Sequence, residues 1–164
     1  MIKQTPVTQV LHKTEKNWPE SHQEISPEIL RIYRINDYLR QNVQIVLDNF
    51  GLQAADFAVL ETLRKEPAPH CLTPTELSTA MLFSSGGLTK VLHRMTNAGY
   101  ITRIHNPHDK RGKLVQLTES GGTLINEVIV KLHSQEQSIM TALSTHEKTA
   151  LNQLLEKLLN VWEE

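Results

Sequence analysis

Apolar residues recur at helical spacing along most of the 164-residue chain and give way to alternation over one short stretch past its middle. Ile29, Ile32, Leu39, Val43, Val46 and Phe50 follow one another at steps of 3, 4 and 7, which marks an amphipathic helix. Ser26, Pro27 and Glu28 start it with a cap, a proline at the first helical position and an acid against the helix dipole, and Gly51 stops it. Leu52 to Lys65 predicts a second helix, with Phe57, Leu60 and Leu63/Arg64 on one face. After the stiff loop Glu66-Pro67-Ala68-Pro69, the run Thr73-Pro74-Thr75-Glu76 has the spacing of a capping box and predicts a third helix to about Met81. Ser84 and Ser85 precede a fourth, where Leu88, Val91, Leu92 and Met95 make one apolar face and Gly99 ends the helix. Ile101 to His105 and Lys113 to Leu117 alternate, are β-prone and are joined by turn formers.

Thr118 then caps a long helix from Glu119 to about Leu143, with Leu124, Val128, Leu132 and Ile139 on its stripe. Ser144 and Glu147 start the last helix, whose Leu151, Leu154, Leu155, Leu158, Leu159 and Trp162 form a wide apolar face. Residues 1–17 are weakly periodic, either loose chain or a marginal helix, and Trp18-Pro19 interrupts them. The expected fold is mainly α with a small β-ribbon: a winged helix-turn-helix flanked by N- and C-terminal helices. Its parts are an N-terminal extension (1–25), a long helix (26–50), the winged part (about 52–118) and the C-terminal helices (119–164), in one domain.

Charge changes the picture locally. Between Ser84 and Lys113 six basic residues, Lys90, Arg94, Arg103, Lys110, Arg111 and Lys113, face one acid, Asp109. That is +5 within a chain of net charge −1, and it coincides with a helix-turn-helix and a ribbon. Such a concentration is an electrostatic footprint for a polyanion, and the helix pair is the geometry that lays a second helix in the major groove of double-stranded DNA. Ser84, Ser85, Thr89, Lys90, His93 and Arg94 lie on or beside its polar face. Lys90 can reach a guanine edge or a phosphate. Thr73 and Thr75 read equally as caps and as phosphate contacts. Lys110, Arg111 and Lys113 belong to the wing, with Arg111 placed for the minor groove.

The remaining composition bounds the class. No run of 18 apolar residues predicts a membrane span, the N-terminus lacks the apolar core of a secretory signal, and a single Cys71 excludes an internal disulfide. A cytoplasmic protein without a membrane partner is expected. Eight histidines show no metal-ligand spacing, and there is no nucleotide loop or nucleophile–base pair, so no cofactor, no metal and no enzymatic activity are expected. A winged-helix module that binds protein and no longer DNA is the competing class, and the intact basic helix and wing argue against it.

The segments LTPTELS (Leu72 to Ser78), SSGGLTKVLHRM (Ser84 to Met95), AGYITR (Ala98 to Arg103), DKRGK (Asp109 to Lys113) and LTESG (Leu117 to Gly121) together resemble the MarR family of bacterial transcription regulators. The resemblance is collinear from about Ile29 onward. It implies a homodimer through the N- and C-terminal helices; the residues alone leave open a last helix packed inside one chain. It implies a repressor released by a small aromatic or anionic molecule, and an Asp109 that orients the wing arginine. The ligand candidates are Trp18, His22, Asp56 and Arg103. Their arrangement is similar to the urate- and trans-aconitate-responsive branch, which carries another arginine where this chain has Val91. Trp18 also reads as a staple on the helix bundle.

Overall fold

The structure is a computed structural model and describes residues 4–81, 85–107 and 109–163; the side chains of Ser85, Gly86, Lys110 and Arg111 also lie outside the description. The elements are α1 (Val7–Asn17), α2 (Pro19–Glu24), α3 (Pro27–Asn49), α4 (Ala54–Lys65), β1 (Cys71–Leu72), α5 (Pro74–Met81), α6 (Ser85–Asn97), β2 (Ile101–Asn106), β3 (Asp109–Leu117), α7 (Glu119–Met140) and α8 (Thr145–Glu163). They group into two compact units, Met1–Ile45 and Val46–Glu164. The boundary falls inside α3.

In the first unit α1 is a formed helix. It ends where expected, at Trp18, whose N–H still bonds the Thr14 carbonyl at 2.8 Å. The six-residue α2, which periodicity did not predict, starts directly on Pro19. Proline suits that place because the first helical N–H has no partner to lose. Arg34 of α3 donates to the Thr5 carbonyl at 2.7 Å and ties the N-terminal segment to the long helix.

The second unit holds the core. Val46 and Leu47 anchor the end of α3 there, and Gly51, at φ +65°, turns the chain into α4. The buried face of α4 is Asp56, Val59, Leu60 and Leu63. Arg64, expected beside Leu63 on that face, is exposed: the face runs at i, i+3, i+4, i+7 from Asp56, and Arg64 falls one step beyond it. α6 contributes Leu88, Val91, Leu92 and Met95, all buried as their spacing predicts. Gly99, at φ +78°, closes that helix, with the Tyr100 N–H on the Met95 carbonyl at 3.1 Å.

The ribbon is longer than predicted and has a third strand. β3 begins at Asp109 and pairs antiparallel with β2, in register from Ile101↔Leu117 to His105↔Lys113, with an irregularity before Asn106↔Asp109. On its other edge β3 pairs with β1, Cys71 opposite Gln116 and Leu72 opposite Val115, giving the order β1-β3-β2. Cys71 therefore lies on a strand, two residues past the stiff loop that ends at Pro69. Just before it, His70 takes a left-handed backbone, φ +56°.

Thr118 caps α7 by accepting the Gly121 N–H at 3.1 Å. Helix α7 packs on α4 and buries Ile125, Val128 and Leu132. It stops at Met140, three residues short of the expected end, and of its predicted stripe Leu124 is only half-buried and Ile139 is exposed. Helix α8 starts on a complete capping box between Ser144 and Glu147 and buries no residue at all. Among the described residues no single helix is long and apolar enough to cross a membrane.

Candidate nucleic-acid interface

The candidate interface comprises the N-terminus of α5, the outer face of α6 and the ribbon. Helix α5 is held by the capping box its sequence spells. The Thr73 N–H and hydroxyl both donate to Glu76 Oε2 at 2.8 Å, and the Glu76 N–H returns to the Thr73 hydroxyl at 3.2 Å. Those bonds lower the Glu76 pKa, the Thr73 N–H being the larger cause and its hydroxyl the next. Thr73 is thus engaged as a cap. Thr75 is exposed.

Burial of Leu88, Val91, Leu92 and Met95 turns Thr89, Lys90, His93 and Asn97 outward, and all four are exposed. The Asn97 amide lies 3.3 Å from His93 Nδ1. Lys90 has no hydrogen bond or ion pair among the described residues.

Among the described residues, the ribbon carries Arg103 and Lys113 on one face. Residues opposite one another in an antiparallel pair point the same way, so Ile101 with Leu117, Arg103 with Val115, and His105 with Lys113 share a side. That side is apolar and buried near the sheet's base and cationic toward the tip. Arg103 has no polar partner among the described residues and lines two clefts. One, about 310 Å3, lies between α5 and α6 and is walled by Pro74, Thr75, Ser78, Leu88, Thr89 and Leu92. The other, about 490 Å3, runs from Thr73, Pro74 and Thr75 to Asn106, Asp109, Gly112 and Lys113. Arg103 and Lys113 there face the positive end of α5, a setting that favours an anion. At the wing, a Cβ on Gly112 would stand 2.9 Å from Asp109 Oδ2, so a side chain there would have to displace the carboxylate.

Arg94 does not share the outward geometry of its neighbours. Its Nε lies 3.0 Å and 3.3 Å from the two Asp56 oxygens and its Nη2 2.6 Å from Oδ1. Asp56, 2% exposed, also accepts the Gln53 N–H at 2.9 Å and completes a capping box at the start of α4.

The MarR family model matches residues 50–112. The multiple antibiotic resistance protein MarR of Escherichia coli is 34% identical over 146 residues, 88% of this chain and 99% of that protein. The chain belongs to the MarR family. The regulator PecS of Dickeya dadantii is 28% identical over 155 residues, 94% of this chain and 93% of its own. Among solved structures, a cysteine-to-serine variant of E. coli MarR complexed with operator DNA superposes with a TM-score of 0.67 at 31% identity, covering 83% of this chain and 96% of that one. Transcriptional regulation on a winged-helix fold is therefore this chain's class of function.

Against that membership, the expected site residues divide. Ser84, and the side chains of Ser85, Lys110 and Arg111, lie outside the described residues. Thr75, Thr89, Lys90, His93, Asp109 and Lys113 line the exposed face or its clefts. Arg94 and Asp56, expected as a DNA contact and a ligand residue, form an ion pair with each other. Trp18 and His22 belong to the first unit and Asp56 and Arg103 to the second. Trp18 is 64% exposed. His22 Nδ1 is buried without a partner among the described residues. Among the described residues no group of three His, Cys, Asp or Glu could hold a metal. Sequence reasoning missed the Asp56–Arg94 pair, although Gln53 and Asp56 have the spacing of a capping box.

Proposed function

We propose that the protein is a homodimeric repressor that holds a pseudo-palindromic operator through α6 and the wing, and leaves it when a small aromatic or anionic ligand binds. It acts in the cytoplasm and is not an enzyme. The observation that carries this reading is the exposed row Thr89, Lys90 and His93 beside the clefts that Arg103 and Lys113 line at the N-terminus of α5. Side chains on that helix face read base edges, while Thr75, Arg103 and Lys113 take phosphate oxygens and set the register. Arg111 enters the minor groove from the wing, with Asp109 holding the turn. The E. coli MarR variant complexed with operator DNA supports the reading of operator binding.

Dimerisation rests on α8. Leu154, Val161 and Trp162 are 66%, 72% and 71% exposed, on a helix whose leucines otherwise form one stripe. Monomers rarely leave contiguous apolar patches beyond a few hundred Å2 uncovered. A second copy that covers the stripe places two α6 helices about 34 Å apart, in successive major grooves.

Release rests on the cleft between α5 and α6. Arg103 offers a cation for a carboxylate, and Leu88, Leu92 and Pro74 offer apolar walls for a ring. A ligand there lies between the two helices that carry the DNA face, and linkage requires that a molecule preferring the free protein lower DNA affinity. The test is a mobility shift on duplex from the protein's own promoter region, paired with a thermal-shift screen of small aromatic acids. A retarded complex, dissolved by the acids that raise Tm, is the expected result. No complex with any such duplex overturns the reading.

A further inference from the structure

The polar face of α6 holds one cation that is already engaged. Arg94 grips a nearly buried carboxylate with Nε and Nη2, and that carboxylate belongs to Asp56 at the start of α4, 38 residues earlier. The apolar face of α6, Leu88, Val91, Leu92 and Met95, fixes which side of the helix is inside. Apolar contact is non-directional and leaves freedom to rotate or slide. A guanidinium fork on a carboxylate is planar and directional and removes that freedom. Asp56 is itself held, since it accepts the Gln53 N–H within the capping box of α4. Drawing Arg94 away to a phosphate would leave a buried carboxylate without its charge partner, which is strongly unfavourable.

We propose that Asp56 and Arg94 are positioning residues for DNA recognition: their ion pair sets the rotation of α6 on α4, so that Thr89, Lys90 and His93 meet the base edges. The proposal rests on the DNA-binding reading above. Recognition groups tolerate errors of only about 0.5 Å and 10–20°, and Arg94 follows His93 directly and Lys90 by one turn. The pair thus carries sequence discrimination without touching DNA.

The test titrates full-length protein against labelled duplex from its own promoter region and against a scrambled duplex, at several salt concentrations, for the wild type, Asp56→Asn, Arg94→Gln, Arg94→Lys and the Asp56→Asn/Arg94→Gln double variant. Asp56→Asn removes a negative charge from a DNA-binding unit, so simple electrostatics demands tighter binding. Positioning demands the reverse: about tenfold weaker binding to the promoter duplex, no weakening on the scrambled one, and an unchanged salt slope. Arg94→Lys keeps the charge but not the fork and should fail to rescue, and the double variant should lose no more than either single one. Should Asp56→Asn not fold, Arg94→Lys decides alone, because a phosphate contact survives that change and a fork does not. Equal or tighter promoter binding by Asp56→Asn overturns the proposal. So does a salt slope about 0.9 shallower in Arg94→Gln, the signature of one lost phosphate contact. In both cases a wild type that binds the promoter duplex leaves the DNA-binding reading standing. A wild type that binds no duplex ends both.

Discussion

Gly121, in the first turn of α7, lies so close to Tyr100 that a Cβ at 121 would overlap the Tyr100 carbonyl oxygen and press on the Leu117 side chain. The contact closes the winged unit, because the same Tyr100 carbonyl also accepts the Thr118 N–H at 3.1 Å. Backbone cannot retreat as a flexible side chain can. Gly121→Ala should therefore destabilise by about 1–3 kcal/mol or more, whereas Gly122→Ala, whose nearest neighbour would be Leu117 at 3.9 Å, should stabilise by up to about 1 kcal/mol. Urea denaturation of the two variants checks the contrast; equal stabilities would show that α7 can shift away from Tyr100.

The two capping boxes give stability a dependence on acid pH. Hydrogen bonds from Thr73 lower the Glu76 pKa, and the Ser144 hydroxyl, then its N–H, lower that of Glu147. A carboxylate whose folded pKa lies below its unfolded value contributes fully above the unfolded value, near 4.5, and loses that contribution as pH falls through the folded one. Both groups are fully exposed, so the effect is small. Tm measured from pH 7 down to pH 3 should fall less steeply in the double variant Glu76→Gln/Glu147→Gln than in the wild type. Parallel curves would remove the boxes from the acid response.

Neighbouring threonines should separate into two roles. Thr73→Ala loses a cap and should cost about 0.5–2 kcal/mol of stability. Thr75→Ala should leave Tm almost unchanged and weaken promoter binding. Lys113→Ala and Arg111→Ala should each make the salt dependence shallower by about 0.9. An unchanged slope for either residue takes it off the contact list.

Helix α8 offers a test of assembly that spares the fold, since it buries nothing within the chain. Leu154→Glu should keep far-UV helicity, convert dimer to monomer in sedimentation, and weaken promoter binding at least tenfold. A wild type that sediments as a monomer, or a variant that sediments as the wild type does, contradicts the assigned interface.

Much of this architecture is readable from local pattern. Thr73-Pro74-Thr75-Glu76 announces α5, and the spacing of Leu88, Val91, Leu92 and Met95 gives both α6 and its exposed face. Alternation from Ile101 to His105 and from Lys113 to Leu117 gives the two paired flanks of the ribbon. What escaped has long-range causes. The two-residue β1 exists only because Cys71 and Leu72 meet Gln116 and Val115, about 45 residues on. Arg94 looked like its neighbours Lys90 and His93 because nothing near it in sequence reveals Asp56. Arg64 was misassigned because Leu63 and Arg64 both fit a helical step from Leu60, and only packing against α7 chooses between them.

The proposed grip of two copies on duplex DNA, through the cationic edge formed by α6 and the wing, is open to one decisive experiment. Fluorescence anisotropy of a labelled duplex from the protein's own promoter region, titrated with full-length protein across salt, tests it most directly. Two chains per duplex are expected, with an affinity that falls about a thousandfold or more between roughly 50 and 200 mM salt. No binding, or binding that ignores salt, would contradict it.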